Sequence, residues 1–168
     1  MPAISHPFSP AGLTVGAKVL YFGPSGALPV RLAAEVRSLK IEHVSPESLV
    51  HQEICRRTPL GQQAAKARKH GAAVPDQTLL AILRKWFWAR KPDAGFLLSG
   101  FPATLLHARV FDEWLDAREE ALTGCLCVEA GPGAGASDPE SAANRPVIEY
   151  YRTLGFLVDP SLSALILI

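Results

Sequence analysis

The chain has 168 residues, 48% of them hydrophobic and 20% charged, which suits one domain with a proper core and excludes wholesale disorder. Its formal net charge is +1, and its three cysteines, Cys55, Cys125 and Cys127, are odd in number and lack metal-ligand spacing. No run reaches the roughly 18 apolar residues of a membrane span, and the N-terminal stretch lacks a signal-peptide pattern, so a reducing, cytoplasmic setting is expected.

Residues 1–16 are rich in Pro, Ser and Gly and are expected to form a flexible lead-in. An apolar strand, Lys18 to Phe22, then runs into Gly23-Pro24-Ser25-Gly26-Ala27 and a helical pattern opened by Pro29, with Leu32, Val36 and Leu39 on one face. A short strand from Ile41 to Val44 follows. Ser45-Pro46 and Thr58-Pro59 each give a cap and first-turn proline, for helices through Arg57 and to Gly71. Asp76 is expected to cap a third helix to about Arg90, its buried face carrying Leu79, Leu83 and Trp86. These three helices interrupt an otherwise alternating pattern.

Alternation resumes with a fully apolar strand, Gly95 to Leu98, and a helix from Thr104 to Glu120 with Leu106, Val110 and Trp114 at helical spacing. A strand from Cys125 to Val128 leads into Gly131 to Asn144, read as a mobile connection. The alternate cysteines of that strand read as small buried hydrophobes. A helix from Pro146 to Leu154 and a strand from Phe156 to Val158 complete five parallel strands in a three-layer α/β domain.

Charge is unevenly distributed. Between His51 and Lys91 nine Lys/Arg face two acids, Glu53 and Asp76, whereas Arg109 to Glu129 holds Asp112, Glu113, Asp116, Glu119, Glu120 and Glu129 against two arginines. One lobe is therefore basic and another acidic.

The stretch from Gly23 has the frame of a phosphate-binding loop, but the positions that should supply Gly-Lys-[Ser/Thr] hold Leu28, Pro29 and Val30. Proline also removes a backbone N–H from any anion nest there. No histidine falls beside an acidic residue in a way that suggests a triad: His51, His70 and His107 read as solvent-facing or pocket-lining.

The order of segments resembles the adenylate kinase family of nucleoside monophosphate kinases, from Lys18 to Asp159. The residues that carry the likeness are GPSGA after the first strand, His43 to Leu49, TPLGQQAAK from Thr58, His70 to Asp76, GFLLSGFPAT from Gly95, and RPVIEYY from Arg145. The resemblance implies a three-layer P-loop NTPase-like domain over residues 17–168, with a five-stranded parallel sheet, a monophosphate-binding-type helical insertion at about 45–91, and the lid replaced by a linker at 131–144.

It also implies a stripped site. Pro29 stands at the phosphate-binding lysine of the family loop. In the turn that holds the monophosphate, Pro46, Glu47, Ser48 and His51 replace threonine, glycine, aspartate and arginine. Ser99 stands at the acidic residue associated with the metal-bound nucleotide, Ala103 at an arginine that grips the substrate phosphate, and the linker has no arginine before Arg145. Phosphoryl transfer rests on positioning and cations, so the reading is a pseudoenzyme with no catalytic residues, no metal and no cofactor. A residual nucleotide-binding set would be Gly23, Ser25, Gly26, Val74, Gly100 and His107, the last at the place of an adenine-reading glutamine. The expected partners are an adenine nucleoside or nucleotide and a protein at the basic surface, with no membrane and with nucleic acid disfavoured. The alternatives are a divergent active kinase using Mg-ATP, and polyanion or partner binding through the basic insertion.

Overall fold

The computed structural model describes residues 8–9, 12–23, 28–127 and 139–157, with residues 8, 9, 12 and 139–143 described by backbone alone. The chain forms two compact units, residues 1–43 with 93–168, and residues 44–92.

The first unit is built on a parallel sheet. Its central strand, β3 (Lys18–Phe22), is a β-branched and aromatic run buried on both faces. Two short strands precede it within the expected lead-in: β1 (Phe8–Ser9) pairs antiparallel with β2 (Gly12–Leu13). Leu13 is buried, and its N–H donates to the Glu35 carboxylate at 3.0 Å. The remaining strands are β4 (Glu42–Val44), β5 (Phe96–Ser99) and β6 (Gly124–Cys127), in the order β4-β5-β3-β6. The register pairs Tyr21 with Ser99 and Phe22 with Cys127.

The expected fifth strand is a correction. Among the described residues it is a single parallel bridge, Cys125 to Leu157, with the Cys125 N–H donating to the Phe156 carbonyl at 2.8 Å. Among the described residues the sheet therefore has four strands. One bridged residue pair at the sheet's edge is too little to make a ladder, and Val158 lies outside the described residues.

Helix α1 (Val30–Ser38) covers one sheet face: Leu32 and Val36 pack with Val19, Tyr21, Leu97 and Leu126. The opposite face carries α5 (Leu105–Ala117) and α6 (Pro139–Thr153), through Phe96 against Phe111 at 6.2 Å between ring centroids and Phe22 against Tyr151 at 6.2 Å. The Tyr150 hydroxyl donates to Asp112 and ties these two helices together. Cys125 is fully buried, as a small hydrophobe in a sheet should be, and Cys127 is partly so.

α6 starts seven residues before its expected position, inside the expected linker. Pro139 takes the first helical position, where a missing N–H costs nothing, and Pro146 lies inside the helix. The sequence holds two proline start signals, and the helix uses the earlier one.

The second unit is a helical knot of α2 (Pro46–Cys55), α3 (Pro59–Lys69) and α4 (Asp76–Ala89). Ser45 and Ser48 form a reciprocal capping box at 3.2 and 3.1 Å, and the Thr58 hydroxyl accepts from the Gly61 N–H at 3.0 Å. Asp76, expected as the cap of α4, is instead its first helical residue; Pro75 precedes it with no side-chain cap bond. Gly61 lies so close to α2 that a Cβ there would fall 2.0 Å from the Glu53 carbonyl oxygen. No helix among the described residues is long and apolar enough to cross a membrane.

Candidate functional site

In an open parallel sheet a ligand crevice forms at the carboxyl ends of adjacent strands whose following helices go to opposite faces. β3 and β5 meet that condition: they are paired, α1 follows one onto the Tyr21 face, and α5 follows the other onto the Phe96 face. The candidate site is therefore the crest where Tyr21 and Ser99 pair, continued by Gly23 and by Gly100 at φ 76°. The fold thus brings together two of the expected residues, Gly23 and Gly100.

Two residues of this crest are missed by reasoning from motifs. Tyr21 folds its ring back over Gly23, so that an added Cβ at Gly23 would sit 2.5 Å from the Tyr21 hydroxyl. The ring is buried among α1 and sheet residues, and burial, with the Cys127 thiol nearby, raises the phenol above its usual range. His43, the middle residue of β4, places Nε2 2.9 Å from the Ser99 hydroxyl. Partial burial of the ring of this otherwise exposed residue lowers its titration below the usual 6.5, so the neutral ring is favoured. The only sequence signals were an aromatic at the penultimate position of one strand and a histidine within the next.

The start of α1 is apolar. Pro29 is the N-cap at φ −50°, ψ 140°, with no side-chain cap bond, Leu28 packs against the core cluster, and Val30 is 83% exposed. Arg31 is exposed on the same helix.

Of the two placements expected for His107, solvent-facing or pocket-lining, the first does not hold: it is 3% exposed and stacked on Phe101 with centroids 5.2 Å apart and planes 24° apart. Its Nδ1 accepts from the Ala103 N–H at 3.4 Å, and its own N–H donates to the capping Thr104 hydroxyl at 3.2 Å. The histidine belongs to the first turn of α5, whose start it helps to fix. The buried stripe of α5 runs through His107, Ala108, Phe111, Trp114 and Leu115, leaving Leu106 exposed. His51 and His70 are exposed, as expected.

Of the other expected residues, Val74 lies half-buried in the second unit, between α3 and α4, and Ser25 and Gly26 fall outside the described residues. No group of three or more His, Cys, Asp or Glu able to hold a metal ion occurs among the described residues.

The chain is 34% identical over 113 residues to an adenylate kinase of Moorella thermoacetica, a match covering 67% of this chain and 52% of that protein. It is 28% identical over 144 residues to an adenylate kinase of Prochlorococcus marinus strain MIT 9313, covering 80% of this chain and 78% of that protein. The chain is adenylate kinase-like. An adenylate kinase of Clostridium botulinum strain Loch Maree gives 31% over 115 residues, with 67% of this chain and 52% of that protein covered. The adenylate kinase-like chain thus spans about half the length of the Moorella and Clostridium relatives. No family model matches it.

Proposed function

We propose that this chain is a non-catalytic adenylate kinase-like domain that keeps the strand-end crevice of its fold and lacks the phosphate chemistry. The observation that carries this reading is the start of α1. Pro29, which has no N–H, occupies the cap position where the resemblance places a lysine, and the exposed Val30 follows it. Tyr21 supports the same reading, because its ring fills the space above Gly23. So does Ser99, whose hydroxyl is engaged with neutral His43 and brings no negative charge with which to hold a metal.

What remains suits a ligand without a large negative charge. Gly100, at φ 76°, allows close approach of a ligand to the backbone, and Phe101 with His107 forms a buried aromatic stack beside the crest. The proposed ligand is an adenine nucleoside or a weakly held nucleotide, with Ser25, Gly26 and Val74 as further positions to test. A second reading is favoured by the likeness itself, since the similar proteins are named adenylate kinases. On that reading the chain transfers a phosphoryl group from Mg-ATP to a nucleoside monophosphate, with cations supplied from elsewhere.

Calorimetric titration with Mg-ATP, AMP and adenosine, followed by a coupled assay for ADP, separates the two. The non-catalytic domain makes no ADP at any substrate concentration, and adenosine or AMP binds at least as well as Mg-ATP. Accumulation of ADP with micromolar Mg-ATP binding would overturn the proposal.

A further inference from the structure

We propose that the outer face of α4 is a docking surface for the acidic end of α5 on a second copy of this chain. Residues 44–92 carry nine Lys/Arg and three Asp/Glu, an excess of six positive charges; the other unit carries eight and thirteen, an excess of five negative. The chain as a whole is nearly neutral, so its own two units are the complementary surfaces.

The basic side is an open depression of about 550 Å³ lined by Ala81, Arg84, Lys85 and Trp88. No Asp or Glu occurs from Gln77 to Pro92. Lys85 is held by Glu53 at 3.0 Å, so Arg84 is the cation this face presents, beside an indole that is 43% exposed. An arginine next to a partly exposed tryptophan is the composition of an interface anchor.

On the acidic side, Asp112 is engaged by Tyr150, and Glu120 is buried against Lys18 at 2.8 Å and Arg118 at 3.5 Å. Glu113, Asp116, Ala117 and Glu119 remain exposed around the last turn of α5 and the residues after it. Glu113, Asp116 and Ala117 share one helical face, which sets two carboxylates beside a small residue able to admit a ring. The two patches differ, so the contact is head-to-tail and each copy offers one of each.

Sedimentation equilibrium tests this across protein concentrations at about 10 mM ionic strength, where the screening length is about 30 Å, and at about 1 M, where it is about 3 Å. The average mass is expected to rise above 18.1 kDa with concentration at low salt and to return to 18.1 kDa at high salt. An Arg84→Ala/Trp88→Ala variant and a Glu113→Ala/Asp116→Ala variant should each associate at least tenfold more weakly, their folding checked by circular dichroism. Mixed one to one they should form dimers, because each keeps one intact face. A wild-type chain that stays monomeric at low salt, or association undiminished in either variant, would overturn the proposal. So would a monomer that binds heparin, which would assign the face to polyanions.

Discussion

Gly61 and Gly23 are both tight, but against different neighbours, and the neighbour decides what a methyl group costs. At Gly61 the obstacle is backbone: the Glu53 carbonyl oxygen and carbon would lie 2.0 and 2.3 Å from the new Cβ. Backbone cannot rotate aside, so Gly61→Ala must push α3 off α2, and a loss of about 3 kcal/mol is expected in urea denaturation. At Gly23 the nearest atoms belong to the Tyr21 ring, which can swing away. Gly23→Ala should therefore cost less, about 1 kcal/mol, and should alter Tyr21 fluorescence, which Gly61→Ala should not. Equal costs at the two glycines would show that the Tyr21 ring is as fixed as backbone. Both glycines were visible in the sequence as motif positions. Their neighbours were not, because contact between Gly61 and Glu53, or the fold of Tyr21 over Gly23, depends on how helices and strand ends pack.

The three helices of the second unit are held by one buried carboxylate. Glu53 of α2 accepts from the Thr58 hydroxyl, which caps α3, and from Lys85 of α4 at 3.0 and 3.1 Å. Burial alone would raise this acid, but the Thr58 hydroxyl and the Lys85 ammonium outweigh burial and leave it below its usual 4.5. A carboxylate whose folded value is depressed contributes stability that is fully present above the unfolded value and is lost as pH falls through the folded one. The second unit should therefore lose stability below about pH 4.5, and Glu53→Gln should flatten that dependence in thermal melts recorded from pH 6 to 3. Lys85→Ala should cost about 1–3 kcal/mol at neutral pH by removing the carboxylate's charged partner. A pH profile unchanged by Glu53→Gln would assign the acid sensitivity to another group. The helices themselves were legible from their prolines and caps, but their inward faces were not. In α4 the buried residues are Thr78, Ile82, Leu83 and Phe87 rather than a stripe through Leu79, Leu83 and Trp86. A helix apolar at Leu79, Leu80, Ile82, Leu83, Trp86 and Phe87 has a broad face, and packing on α2 and α3 selects its centre. α5 shifts in the same way, which is why His107 is inside and Leu106 is out.

At the scale of the molecule, the proposed non-catalytic reading implies that restoring one group does not restore phosphoryl transfer, because groups that act as a unit contribute far less singly than together. Ser99 shows the physical reason. On the likeness to adenylate kinases, Ser99→Asp would return the acidic residue, but here that carboxylate would lie beside His43 Nε2, now 2.9 Å from the Ser99 hydroxyl. His43 titrates below 6.5 because partial burial disfavours its charged form, and an adjacent carboxylate reverses the balance. The variant should hold an ion pair between His43 and the introduced carboxylate, whose charge is then spent internally. Titration of the His43 ring by NMR should show its midpoint moving up in Ser99→Asp, by at least one unit if the pair forms. Combining Pro29→Lys with Ser99→Asp and Ala103→Arg should still yield no ADP from Mg-ATP and AMP, since His43 competes for the restored carboxylate. Adding His43→Ala to that combination would then free the carboxylate, and any activity should appear only at this step. An unmoved His43 titration, or ADP formation before His43 is removed, would show that the strand-end crest accommodates the acid without diverting it.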